Sequence, residues 1–112
     1  MLAQQQQLNL TTHARYFITS IKINDRQLIA MIDSSATNNF MTKALVKRKK
    51  YSTQKKFDAY NLVVVDENPL LNENEKVNKE TKPLSIAIQQ HHEKLIFNIV
   101  KIITYDIVLE MP

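Results

Sequence analysis

The chain has no glycine, no cysteine and no tryptophan in its 112 residues. Without cysteine, neither a disulfide scaffold nor a thiolate metal site can form. No apolar run approaches the ~20 residues that a membrane-spanning helix needs, so no membrane partner is expected. The opening MLAQQQQLNL lacks the basic start and long apolar stretch of a secretory leader. An intracellular, cytoplasmic chain is therefore the expectation. The missing glycine is the most unusual of these absences, since average usage of about 7% would place about eight in a chain of this length. Hairpins and bulges draw on glycine for positive φ. A mostly β chain must meet those positions with other residues.

Charge is present but unevenly placed. The formal net charge is +4. Residues 43 to 56 (KALVKRKKYSTQKK) hold seven Lys or Arg and no acid, while the remainder carries eight bases against eleven acids. The basic character is thus a patch and not a property of the whole surface, which weakens an inference from overall charge to nucleic-acid binding. The length sets a limit of one domain.

The order of elements reads as follows. Residues 1–12 are Gln-rich and form a flexible lead-in. ARYFITSIKI (14–23) is rich in β-branched and aromatic residues and reads as a strand. Asn24-Asp25 is a tight-turn signal, and Arg26 to Ile32 returns as the hairpin partner. Asp33 to Thr37 is a turn. A short helix is expected from Asn38 to about Lys49, capped by Thr37 or Asn38, with Phe40, Ala44 and Leu45 at helical spacing. Bases at its C-terminal end complement the helix dipole. Strands follow at 60–65, 84–88, 95–103 and 107–109. Residues 67–80 form an exposed hairpin or long loop, and 89–93 a turn. Many short strands and one helix argue for an all-β barrel or sandwich.

The stretch LIAMIDSSATNNF (28–40) delivers a carboxylate, Asp33, into the end of an apolar strand. It resembles the active-site segment of retroviral-type aspartic proteases, most closely the protease segment of Ty3/gypsy-type retrotransposon Gag-Pol polyproteins. That family reads apolar-apolar-Asp-Ser/Thr-Gly-Ala-Thr, with an aromatic shortly after. The C-terminal YDIVLEMP resembles its second hallmark, Asp-apolar-apolar-Leu-Gly-Met-Pro-Trp-Leu. VVVDEN resembles a strand ending in Asp-Gly, and KPLSIAIQQHHEKLIFNIV the hairpin after the flap. The match spans roughly residues 14–112 in the family's order.

The resemblance implies an all-β acid-protease fold: a retropepsin-like closed barrel with one short helix, forming one lobe of a homodimer. It places the protease domain at 13–112. Asp33 takes the catalytic position. Ser34 takes the place of the hydroxyl that locks two active-site loops together, and Ser35, Ala36 and Thr37 complete the loop. Asn68, Pro69, Leu70, Leu71 and Asn72 fall in the flap, and Leu109 in the strand beneath the site. A water activated by one carboxylate attacks a peptide carbonyl polarised by a second, protonated carboxyl. Carboxyls this close share one proton. The chain offers one such Asp, so the partner is a second copy and the substrate a polypeptide. No metal or organic cofactor is implied, and nucleic acid is not expected as a partner of this domain.

The chain departs from the pattern at its glycines. Ser35 and Glu110 stand where the family has Gly, the latter under the site, where a buried carboxylate is costly. Glu67 and Asp25 replace further glycines. Ser, Asp and Glu codons are each one G-to-A change from Gly, and Trp codons are one from a stop. Lys outnumbers Arg twelve to three, in the same direction. The expectation is a protease segment altered by directional G-to-A change and truncated at the family's Trp.

Other readings carry less. Ser34 and Ser35 lack a G-x-S-x-G elbow, and the histidines are His13, His91 and His92. Adjacent strand residues such as His91 and His92 face opposite sides, which suits no shared metal. Asp106 reads as structural. Three functions stay open: an aspartic-type endopeptidase by ancestry, a non-catalytic dimerisation or protein-interaction module with the same fold, and a basic nucleic-acid-associated module using Lys43 to Lys56.

Overall fold

In the computed structural model the described residues are 5–9, 16–65, 73–101 and 105–110. The chain builds on the hairpin of β2 (Tyr16–Ile23) and β3 (Arg26–Asp33). The two strands pair without a slip from Ile23↔Arg26 to Tyr16↔Asp33. Both turn residues between them have positive φ, 51° for Asn24 and 69° for Asp25. This is the backbone twist a two-residue hairpin requires. Asn and Asp enter that region more readily than most non-glycine residues, which is how a glycine-free chain makes the turn.

Alternation along the hairpin serves two cores. Ile21, Ile23, Ala30 and Ile32 enter one cluster, while Met31 enters a second with Phe40, Leu62, Val77, Val100 and Val108. The last four residues of β3 are all buried. A strand buried on both faces must lie inside the sheet with layers on either side, and β3 does so between β2 and β10 (Ile107–Glu110). β10 runs parallel to β3, with Leu109 beside Ile32 and Glu110 beside Asp33.

The expected helix start is corrected. Phe40–Thr42 form a short strand, β4, and α1 spans Lys43–Lys49. β4 pairs with β10 and with β9 (Asn98–Val100), and all three of its residues are buried. A short apolar run fits either period, and here the tertiary neighbours decide. The cap is Thr42, not Thr37 or Asn38: its Oγ1 accepts from the Leu45 N–H at 3.3 Å. Thr42 Oγ1 also donates to Asp106 Oδ1 at 2.8 Å, and the Thr42 N–H donates to the Asp106 carbonyl. Asp106 thus braces the helix start, as a structural reading expects. The helix ends at Lys50, left-handed at φ 57°.

β5 (Thr53–Val65) and β6 (Glu73–Thr81) form a long hairpin. The strand expected at 60–65 is therefore longer, and part of 67–80 is its partner. The turn expected at 89–93 shrinks to Gln89-Gln90, and β7 (Leu84–Ile88) pairs with β8 (His91–Leu95). Gln89 has φ 54°. The expected 95–103 strand breaks before β9, where Phe97 is fully buried and exchanges hydrogen bonds with Thr81. Gln5–Asn9, expected as a flexible lead-in, form β1, which pairs parallel to β5. The described pairings give one ten-stranded sheet in the order β1-β5-β6-β9-β4-β10-β3-β2-β7-β8.

Candidate active site

Asp33 ends β3 and is 1% exposed. β2 and β10 flank it through Tyr16 and Glu110. Its Oδ1 accepts two hydrogen bonds at 2.8 Å, from the Ser35 N–H and from the Ser35 hydroxyl. The Ala36 N–H donates to the Asp33 carbonyl at 3.2 Å. The loop therefore folds back on its own acid, in the way short polar residues form local turns. A glycine at position 35 would supply the N–H alone. Serine keeps that bond and adds a second donor to the same oxygen.

The remaining loop residues take different places. Ser34 is exposed, Ala36 is buried in the second core, and the Thr37 hydroxyl is buried without a hydrogen-bond partner among the described residues. Asn39 was not singled out by sequence, yet it ties the loop to two strands. Its carbonyl accepts from the Asn98 N–H at 2.8 Å, and its Oδ1 accepts from the Glu110 N–H at 3.0 Å. Only the register of β9 and β10 reveals it, since an Asn after such a turn carries no local signal.

Glu110 corrects an expectation. It aligns with Asp33 across the parallel pair, but it is exposed in the single chain and not buried beneath the site. Leu109 does lie beneath, 3% exposed beside Ile32. The flap residues Asn68, Pro69, Leu70, Leu71 and Asn72 lie outside the described residues. The hairpin arms on either side of them, β5 and β6, are present.

Tyr16, Phe17, Ile18 and Ile29 are each 42–59% exposed, and the first three lie on the β2 half that ends opposite Asp33. An open cleft of about 700 Å³ beside them is lined by Phe17, Ile32, Leu109 and Glu110 among others. Among the described residues no group of His, Cys, Asp and Glu is placed to hold a metal. Nor is any described helix long and apolar enough to cross a membrane.

A β-rich chain with one short helix and an Asp-Ser-Ser-Ala-Thr loop at the end of an inner strand defines a retropepsin-like domain. A family model described as the PEG10/RTL1 protease domain matches residues 29–112. The chain belongs to that family, a retropepsin-like group of Ty3/gypsy derivation. Among solved structures it is similar to the retroviral protease-like domain of Ddi1 from Leishmania major, with a TM-score of 0.51 and 14% sequence identity. That match covers 83% of this chain and 65% of the solved one. At that identity the likeness speaks for the fold alone. No curated protein matches the chain.

Proposed function

We propose that the chain is one half of an aspartic-type endopeptidase that processes a retroelement Gag-Pol polyprotein, and that two copies form the active site. The observation that carries this reading is Asp33: an acid at the end of an inner strand, in the loop where the family has its catalytic aspartate, with Oδ1 held by Ser35. The exposed Tyr16, Phe17 and Ile18 support a second copy at that end.

In the homodimer each chain contributes one Asp33. One carboxylate removes a proton from the attacking water. The other, protonated, donates to the scissile carbonyl. The two exchange roles through the cycle. The Ser35 donors fix the plane of each carboxyl, so neither must be reoriented during reaction. No metal or organic cofactor is called for by this chemistry. A cytoplasmic place of action accompanies this reading.

A second reading has its own support. The Ser35 hydroxyl occupies a lone pair of Oδ1 that a glycine would leave open for water or for the partner carboxyl. A dimerisation module that keeps the fold without the chemistry fits that contact. Cleavage of a mixed peptide library at mildly acidic pH separates the two. Activity lost both in Asp33→Ala and with a pepstatin-type inhibitor supports the protease. A dimer in sedimentation without cleavage supports the module.

A further inference from the structure

The far end of the β2–β3 hairpin carries a second site. Arg26 lies seven residues from Asp33 along β3, about 23 Å at ~3.3 Å per residue. A groove there of about 590 Å³ is lined by Arg26, Arg48, Lys49, Lys50 and Lys82, and no carboxylate lines it. These five cations come from three separate segments: the β2–β3 turn, the end of α1 and the link between β6 and β7. In sequence the basic block ended at Lys56, and Arg26 and Lys82 stood outside it. Folding gathers them.

The cations are largely uncompensated. Arg48 reaches Asp106 at 3.7 Å. Among the described residues, Arg26, Lys49, Lys50 and Lys82 make no ion pair. Three residues along the strands from Ser52 and Lys82 of the groove, Lys55 and Lys79 sit directly opposite each other across the β5–β6 ladder, Lys79 lining a neighbouring cleft with Glu75, and among the described residues neither makes an ion pair. Like charges so placed are destabilising, and a bound anion would relieve them. Lys56, by contrast, is paired with Glu80 at 3.6 Å.

An exposed aromatic residue follows two positions after Lys55 on β5. Between Lys55↔Lys79 and Tyr60↔Val77 the register of β5 shifts against β6. Phe57 lies in the resulting bulge and is 98% exposed, with Asp58 as its one acidic neighbour in sequence. A phenylalanine packed against nothing gains nothing for the fold.

We infer that this groove and bulge bind single-stranded nucleic acid, with Arg26, Lys49, Lys50, Lys82, Lys55 and Lys79 on phosphates and Phe57 stacked on a base. Lysine point charges and the arginine fork both take phosphates, so the six cations call for an anionic partner, and the exposed Phe57 favours one that also offers a π-face. Stacking on Phe57 requires an unpaired base, which favours a single strand over a duplex. The site is remote from Asp33 and does not depend on catalysis.

The test is fluorescence anisotropy of a labelled oligo(dT) or oligo(U) with the full chain. Affinity should fall about 300-fold from ~50 to ~200 mM salt, as six phosphate contacts at a slope of about −0.7 each produce. The triple variant Lys49→Glu, Lys50→Glu, Lys82→Glu should flatten that slope. Phe57→Ala should weaken binding about tenfold, in keeping with the measured cost of losing one stacked base, and leave thermal unfolding unchanged. Absence of binding at ~50 mM salt, where such contacts are strong, overturns the inference. Equal competition by polyglutamate together with an inert Phe57→Ala also overturns it and assigns the groove to acidic peptides.

Discussion

The two ends of the β2–β3 hairpin follow opposite rules. At the Asp33 end a carboxylate is buried to 1% exposure while Tyr16, Phe17 and Ile18 remain in solvent. At the turn end Asn24, Asp25 and Arg26 are exposed and cations line the groove. The turn end is local: two residues that tolerate positive φ suffice. The Asp33 end is built by strands far away in sequence, since β10 lies beside it and Asn39 ties its loop to β9 and β10. The absence of glycine therefore has different consequences. At Asn24 and Asp25 it is met by residue type. At position 35 it places a hydroxyl on the candidate catalytic oxygen.

Variants can break or sharpen this contrast. The largest effect belongs to Asp33→Ala, which should reduce any peptide cleavage by at least the ~10²-fold typical of general acid–base groups. The fold should persist by circular dichroism. Activity that survives would remove Asp33 from the chemistry. Next is Leu109→Ala, which should cost about 2–5 kcal/mol in urea unfolding by leaving a cavity under the loop. A loss below that range would mean that β10 does not support the site.

Tyr60 probes the second core, to which Met31 also belongs. Burial pushes its phenol well above the usual range. The nearby Asn38 amide pulls the other way without completing a hydrogen bond, and the Glu75 carboxylate adds to the rise. A raised folded-state value means that the neutral form's contribution is complete below the ordinary value of 10.0 and is lost as pH rises above it. Tyr60→Phe should remove this part of the alkaline loss of thermal stability. It should also stabilise the chain at neutral pH by about 1 kcal/mol, since an unpaired buried hydroxyl is costly. Equal alkaline profiles for the two proteins would contradict the assignment.

The smallest effect lies near the turn end. Lys50 closes α1 at φ 57° and Gln89 turns β7 into β8 at φ 54°. Each lacks the short polar side chain that helps Asn24 and Asp25. Lys50→Gly or Gln89→Gly should each raise stability by about 1 kcal/mol, the order of the left-handed penalty for a residue with a Cβ. Asn24→Gly should gain less. Equal gains at all three positions would show that residue type does not matter there.

Much of the fold was legible because it is local. β2, β3 and β7 announce themselves by β-branched and apolar content, and Asn24-Asp25 by turn chemistry. The start of α1 was not, because Phe40 and Met41 suit a helix or a strand until β9 and β10 are seen to flank them. The split at Ile96 and Phe97 was hidden for a similar reason, since Phe97 leaves the ladder to bond with Thr81. Of the candidate site, Asp33 and Ser35 could be read from their motif. Asn39 could not, because its role depends on which strands lie beside it.

The sequence by itself determined the β2–β3 hairpin, its glycine-free turn and the acid at the end of an apolar run, since each depends on neighbours a few residues away. Only the tertiary structure decided that β10 lies parallel beside β3, that Asp33 is buried while Glu110 is exposed, and that Arg26 and Lys82 join the α1 cations in one groove. Those outcomes depend on pairing and burial between segments tens of residues apart. Local preference does not encode them, because the same side chain can be covered or exposed according to what packs against it.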